Sequence, residues 1–303
     1  GNTVSAAEHT IALMLSLARH IPQANYSLKS GQWKRADFMG TEVKNKTLGI
    51  IGLGNIGREV ARRARGMEMK ILAYDPFVSE ERAGQLQAEM VSLETLYREA
   101  DFITLHTPLT DTTRNMIDTP QLKTMKPTAR IINAARGGLI NEEALVKALN
   151  EGKLAGAAID VFCNEPCTQS ILFTCDKTIV TPHLGASTTE AQVLAATEVA
   201  HQIVDVLGGQ PARYAVNAPF ISAEAMSVLG PYMKVAKIVG QLTSYLGEGN
   251  MRKIKIQYNG EIASFNTNAL KAAILGGLLD RLSEERVNMV NANTIARRRG
   301  IQV

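Results

Sequence analysis

Hydrophobic and polar positions follow different rhythms along the chain. From Ser5 to Ile21 the apolar residues Ile11, Met14, Leu15 and Ala18 recur at helical spacing. Ser5 with Glu8 three residues on reads as a capping box, and Pro22 reads as the stop. The next stretch, "SLKSGQWKRADFMGTEVKNK", is polar and irregular and reads as a surface loop. From Thr47 short apolar runs take over: Leu48–Ile51, Lys70–Tyr74, Phe102–Leu105, Arg130–Asn133, Ala157–Val161 and Thr178–Val180. Between most of them lie helical patterns, at Ile56–Arg65, Leu93–Glu99, Thr119–Met125 and Glu142–Asn150. Fully apolar strands alternating with helices predict an α/β fold, a doubly wound parallel sheet covered on both faces. A long helix, Thr188–Leu207, follows and ends at Gly208-Gly209, and "GGQPARYAVNAP" reads as a linker. Beyond it a second, smaller, partial α/β pattern holds a helix at Ala223–Tyr245, a strand at Lys253–Tyr258 and helices at Asn268–Leu282 and Val290–Arg299. The expected division is 1–187, 188–215 and 216–303.

The stretch "IIGLGNIGREVARRARGMEMKILAYD" changes this picture from architecture to chemistry. Gly52-x-Gly54-x-x-Gly57 follows a predicted strand and opens a predicted helix, the context a dinucleotide fingerprint requires. Gly52 allows the tight turn, Gly54 lets a pyrophosphate approach the backbone, and Gly57 lets helix and strand pack. The helix N-terminus offers free N–H groups and partial positive charge, so Asn55 and Ile56 join the candidate cofactor set. Asp75 ends the next strand, where a carboxylate accepts hydrogen bonds from the adenosine ribose and repels a 2′-phosphate. Pro76 and Phe77 add no cation there, so NAD is favoured over NADP. The bland alternative is a glycine-rich turn that binds nothing.

Ligands in such sheets sit beyond the carboxyl ends of the strands. His106-Thr107-Pro108 follow one strand there, "NAARGG" with Ala134 and Arg136 another, Asp160 and Glu165 a third, and Thr181-Pro182-His183 with Gly185 the last. A cation, a carboxylate and an imidazole therefore converge where a nicotinamide belongs. That trio suits oxidation of a 2-hydroxy acid. Arg136 would bind a carboxylate bidentately. His183 would exchange the hydroxyl proton as general base and acid. Glu165 would orient the imidazole and raise its pKa. Each has a plainer reading: Arg136 as a surface ion-pair residue, Glu165 as a turn residue before Pro166, His183 as a structural histidine. His9, His20 and His201 sit on helical patterns and read as structural, and His106 as a wall of the cofactor site.

The composition excludes little but agrees. The 303 residues suffice for two cores, and a net charge of +4 suits anionic metabolites without arguing for nucleic acid. Apolar runs are broken well short of a membrane span, and the opening residues, with Glu8, His9 and Arg19 in or beside the apolar run, do not read as a signal peptide. The cysteines Cys163, Cys167 and Cys175 are odd in number, which points to reduced thiols and a cytoplasmic setting. With His183 they lack the paired spacing of a zinc site, so no metal is expected.

The segments "SAAEHTIALMLSLAR", "GLGNIGREVARR", "HTPLTDTTRNMI", "INAARGGLINEEALVKAL", "AAIDVFCNEP" and "TPHLGAST" occur in that order. Together they resemble the D-isomer-specific 2-hydroxyacid dehydrogenases, over about Asn2 to Asn217. The resemblance implies NAD as cofactor, Arg136, Glu165 and His183 as the catalytic set, and a contact of Asp160 with the nicotinamide amide. It makes residues 1–187 the NAD-binding domain and 188–215 a helix and linker of the substrate domain. "GQWKRADFMGTEVKNKTLGIIGLGNIGREVA", "PHLGASTTEAQ" and the tail "RVNMVNANTIARRRGI" are similar to the branch that oxidises 3-phosphoglycerate to 3-phosphohydroxypyruvate, which opens serine synthesis. In that branch 216–303 would be part of an intervening domain, the substrate would be phosphorylated, and the protein a homodimer or homotetramer. Trp33, Lys34 and Arg35 would reach an anionic substrate in a neighbouring subunit, or simply form an exposed basic loop. Against this family the chain reads as a piece of a longer enzyme, with an apolar, exposed surface on the helix after Ser187. A glyoxylate or hydroxypyruvate reductase, an NAD-sensing corepressor and an inactive fragment stay open beside the phosphoglycerate reading.

Overall fold

The computed structural model describes residues 2–208, 216, 223–247, 251–283 and 287–303. It forms two compact units, Gly1–Glu198 and Val199–Val303. In the first, β1 (Thr47–Ile51), β2 (Lys70–Tyr74), β3 (Ala88–Met90), β4 (Phe102–Leu105), β5 (Arg130–Asn133), β6 (Gly156–Ile159) and β7 (Thr178–Val180) make one sheet. All neighbours are parallel, in the order β3-β2-β1-β4-β5-β6-β7. Its helices are α1 (Thr3–Arg19), α2 (Ile21–Lys29), α3 (Asn55–Gly66), α4 (Glu80–Gly84), α5 (Leu93–Glu99), α6 (Thr119–Thr124), α7 (Glu142–Asn150) and the start of α8 (Thr189–Leu207).

The sheet is buried on both faces, which is why its strands read as unbroken apolar runs. Successive residues feed opposite cores. Phe102, Ile132 and Ala158 pack with α1 and α3 through Met14, Leu17, Val60 and Ala61. Ile103, Ile131 and Ala157 pack with α5, α6 and α7 through Leu96, Leu122, Leu145 and Leu149. The chain winds outward from β1 through β2 to β3, then returns to lay β4 on the other side of β1. The crevice at that reversal, beyond the carboxyl ends of β1 and β4, is where such sheets hold ligands.

The doubly wound sheet expected from the sequence is present, with local corrections. β3 adds an edge strand that the pattern did not show, because its three residues carry Glu89 at the centre. β6 ends at Ile159, so Asp160 and Val161 lie in the following turn. Pro22 does not end the first helix. His20 does, in a left-handed conformation at φ 53°, and Pro22 sits in the first turn of α2, where its missing N–H is harmless. Ser5 is not a cap either. α1 begins at Thr3, and the Ser5 hydroxyl points elsewhere. The expected loop after it holds the end of α2 and a 3₁₀ turn at Arg35–Phe38.

The second unit contains α9 (Ala223–Leu246), α10 (Asn268–Leu279) and α11 (Ala292–Arg298). Leu229 and Ala236 meet Leu270 and Ala273 in one cluster, and Leu275, Leu278 and Leu279 meet Ala292, Ile295 and Ile301 in another. The expected strand Lys253–Tyr258 is reduced to one bridge, Lys253 to Gln302. Its residues do alternate between half-buried and exposed, but a ladder needs a neighbour along its whole length. Most of the expected linker lies outside the described residues. The division between the units falls within α8, a helix that leaves Val193, Leu194, Val199, Ile203 and Val204 exposed. Among the described residues no helix is long and apolar enough to cross a membrane.

Candidate active site

The glycine loop closes β1 at the crevice. Gly52 has φ 96°, and a β-carbon there would lie 2.5 Å from the His106 carbonyl oxygen, so only glycine fits. Gly54, by contrast, faces open space, and a β-carbon on it would meet nothing within 4 Å. It is the N-cap of α3, followed by exposed Asn55, half-buried Ile56 and buried Gly57. An uncrowded helix N-terminus with free N–H groups fits a pyrophosphate. Asp75, just past β2, accepts the Leu53 N–H at 2.8 Å on Oδ2 and the Phe77 N–H at 2.8 Å on Oδ1. It thereby ties the glycine loop to the next turn, and each oxygen keeps a lone pair for a ribose hydroxyl. Beyond β4, His106 meets the Thr104 hydroxyl at 3.0 Å. Burial pushes its pKa down to about 4, so the ring is neutral. Half-buried Thr107 and exposed Pro108 continue this wall.

The other strand ends carry the reactive groups. Asn133, at the end of β5, is buried; its amide donates to the Arg136 carbonyl at 2.9 Å, and its Oδ1 accepts the Ala135 N–H at 3.1 Å. This clamp shapes the turn that holds half-buried Ala134 and presents Arg136. The guanidinium is exposed, donates to the Ala135 carbonyl at 2.6 Å and forms no ion pair among the described residues. Next to it Gly137 lies so close to Phe162 that a β-carbon would fall 1.9 Å from that residue's carbonyl oxygen. The Arg136 turn and the turn after β6 are therefore in backbone contact. In the latter, Glu165 Oε1 accepts the Phe162 N–H at 2.9 Å, and Oε2 meets His183 Nδ1 at 2.6 Å. Burial raises the Glu165 carboxyl, but the hydrogen bonds from His183 and Phe162 outweigh it and hold the group below the usual glutamate range. An ionised carboxylate only accepts, so the His183 proton sits on Nδ1 and Nε2 is left open.

Asp160 follows β6 directly. It is fully buried, and its carboxylate serves the turn that carries His183. Oδ1 accepts the Thr181 hydroxyl at 2.6 Å and the Leu184 N–H at 2.8 Å, and Oδ2 accepts the Gly185 N–H at 3.0 Å. Two residues of α1 reach the same turn. The Ser5 hydroxyl donates to the Gly185 carbonyl at 2.9 Å, and His9 Nε2 lies 3.1 Å from Asp160 Oδ1. Asn133, Ser5 and His9 were not legible as site residues, and Thr181 was read only as following the last strand. Only the four-residue spacing of Ser5 and His9, which puts them on one helix face, gave a hint. The cysteines do not share a centre with His183: Cys163 is exposed, Cys175 is buried near Asn150, and the imidazole is engaged by Glu165. Among the described residues no group of three or more His, Cys, Asp or Glu side chains is placed to hold a metal ion.

Known proteins resemble this chain in sequence and fold. The family described as "D-isomer specific 2-hydroxyacid dehydrogenase, NAD binding domain" matches residues 11–185, and "D-3-phosphoglycerate dehydrogenase intervening domain" matches residues 228–303. D-3-phosphoglycerate dehydrogenase of Synechocystis sp. is 52% identical over 100% of the chain and 55% of its own length. The enzyme of that name from Methanocaldococcus jannaschii is 46% identical over 100% of the chain and 58% of its own. The chain thus spans little more than half the length of these relatives. A crystal structure of D-lactate dehydrogenase with NAD+ from Lactobacillus jensenii superposes with a TM-score of 0.62 at 31% identity, covering 70% of this chain and 68% of that one. With a glycine loop that fits a pyrophosphate and an Asp75 free to meet a ribose, the chain belongs to the D-isomer-specific 2-hydroxyacid dehydrogenases and carries their NAD-binding domain.

Proposed function

We propose that this chain is the catalytic part of an NAD-dependent dehydrogenase that oxidises 3-phosphoglycerate to 3-phosphohydroxypyruvate. The observation that carries the reading is the 2.6 Å contact of His183 with Glu165, which leaves Nε2 open, together with the exposed Arg136, whose turn packs on the backbone of the Glu165 turn through Gly137. Gly52, Gly54, Asn55, Ile56 and Gly57 hold the pyrophosphate, Asp75 the ribose, and His106, Thr107, Pro108, Ala134 and Gly185 line the approach to the nicotinamide. When bound, NAD supplies the acceptor for a hydride. Arg136 grips the substrate carboxylate with two parallel hydrogen bonds and fixes the C2 hydroxyl towards His183. The hydroxyl proton passes to Nε2 as the C2 hydrogen departs with its electron pair, so the alcohol becomes a ketone. Glu165 stabilises the imidazolium that forms. In reverse the same imidazolium returns the proton to the carbonyl oxygen.

The match of residues 228–303 to the intervening domain supports a phosphorylated substrate. So do Lys34 and Arg35, exposed and without ion pairs among the described residues, beside Trp33 at 81% exposure. The exposed apolar residues of α8, Val193, Leu194, Val199 and Ile203 among them, support a homo-oligomer. The test is calorimetric titration of NADH into the chain, then addition of 3-phosphohydroxypyruvate, with glyoxylate and hydroxypyruvate in parallel. Turnover restricted to the phosphorylated acid is the expected result. Equal turnover of glyoxylate would make the protein a general reductase, and binding without turnover of any acid would leave a cofactor-sensing domain.

A further inference from the structure

We propose that His9 is a positioning residue of the dehydrogenase: through Asp160 it fixes the turn that carries His183. This rests on the function proposed above, but its geometry is independent of it. His183 has φ 55°, a left-handed conformation that a β-carbon disfavours and that persists only where the surroundings hold it. What holds it is Asp160. Its backbone carbonyl accepts the His183 N–H at 2.9 Å, and its carboxylate accepts the next two N–H groups, Leu184 and Gly185. The turn is thus wound around one buried carboxylate.

Beyond the Thr181 hydroxyl and these N–H groups, that carboxylate has one further side-chain partner among the described residues, the imidazole of His9. Nε2 lies 3.1 Å from Asp160 Oδ1 and 3.3 Å from Thr181 Oγ1. The Thr181 hydroxyl already gives its proton to Oδ1 at 2.6 Å, so its oxygen faces His9 as an acceptor. Both atoms before Nε2 accept, and the proton must therefore be on Nε2. His9 donates into the fork between them and links α1 to the turn. Ser5, one helical turn earlier, donates to the Gly185 carbonyl at 2.9 Å. Helix α1 thus grips both ends of the segment that presents the reactive imidazole. Without the His9 N–H, Asp160 stays buried with fewer donors, and the left-handed turn relaxes.

The test begins with the unmodified chain: nitrogen-15 NMR of its histidines. His9 should be the Nε2–H tautomer with a slowly exchanging proton, and an Nδ1–H tautomer or free exchange would overturn the proposal. The second arm compares His9→Leu with His9→Gln, whose amide N–H can reach the same fork. His9→Leu should shift the titration of His183 and weaken NADH about tenfold, the scale of one charge-assisted hydrogen bond. His9→Gln should restore both. Unchanged His183 titration in folded His9→Leu, or equal losses in the leucine and glutamine variants, would also overturn it. If His9→Leu does not fold, His9→Asn takes its place, since its amide is too short to reach the fork, and the NMR arm stands regardless. Failure of the unmodified chain to bind NADH would sink the cofactor reading alone, because the tautomer and the His183 titration still decide the role of His9.

Discussion

His183 and Glu165 meet in the open, with side chains 48% and 33% exposed. His9 and Asp160 meet beneath them, at 19% and 0%. The chemistry of the two pairs is the same, but their surroundings are not. The outer pair has one contact between its members and an open Nε2, so it can gain and lose a proton with little rearrangement. The inner pair is built into a network with Thr181, Leu184 and Gly185 that leaves Asp160 no path to solvent. An exposed ion pair adds little to stability, whereas breaking a buried one leaves an uncompensated charge. Reactivity and rigidity are thus divided between two copies of one motif, one stacked behind the other.

Four measurements test that division, in descending order of expected effect. His183→Ala should lower the rate about 10³-fold or more while leaving NADH affinity nearly intact, because a general base acts in the transition state. Turnover near that of the unmodified chain would remove the outer pair from the mechanism. Asp160→Ala should lower unfolding free energy by about 3 kcal/mol, since it strands the donors of the inner network. Glu165→Gln in the same urea titration should cost no more than about 1 kcal/mol. Equal losses would erase the contrast. Asp75→Ala should weaken NAD about tenfold and narrow the preference over NADP, measured by paired calorimetric titrations.

The smallest effect is acid sensitivity. Burial raises the Asp160 carboxyl, but His9, Thr181 and the Leu184 N–H outweigh it and hold it below its ordinary 3.8. A carboxyl whose folded pKa is depressed contributes stability above the unfolded value and loses it as pH falls through the folded one. The urea midpoint should therefore fall as pH drops below about 4, and less steeply in Asp160→Asn. A midpoint equally acid-sensitive in that variant would place the titrating group elsewhere.

The outer pair was legible in the sequence and the inner one was not, for a physical reason. Arg136, Glu165 and His183 follow apolar runs that announce parallel strands, and the topology sends every strand end to one edge. His9 lies within a helical pattern, and its partners lie 151 and 172 positions away in sequence, a separation that no local periodicity encodes. Helix boundaries failed for related reasons. Ser5 looked like a cap because its partner, Gly185, is remote. Pro22 looked like a stop because a proline suits the first turn of a helix as well as the residue after its end. The alternation at Lys253–Tyr258 is real, but pairing is a property of two segments and was not visible in one.

The bond from Ser5 to Gly185 spans 180 residues. During synthesis α1 leaves the ribosome long before β7 exists to receive it. Helix α1 can take its final place only beside the later-made β7, because long-range contacts form after the loop between them has closed. The turn that bears His183 is therefore among the last parts of this unit to assemble. A chain released before that point has its cofactor loop in place and its reactive imidazole still adrift.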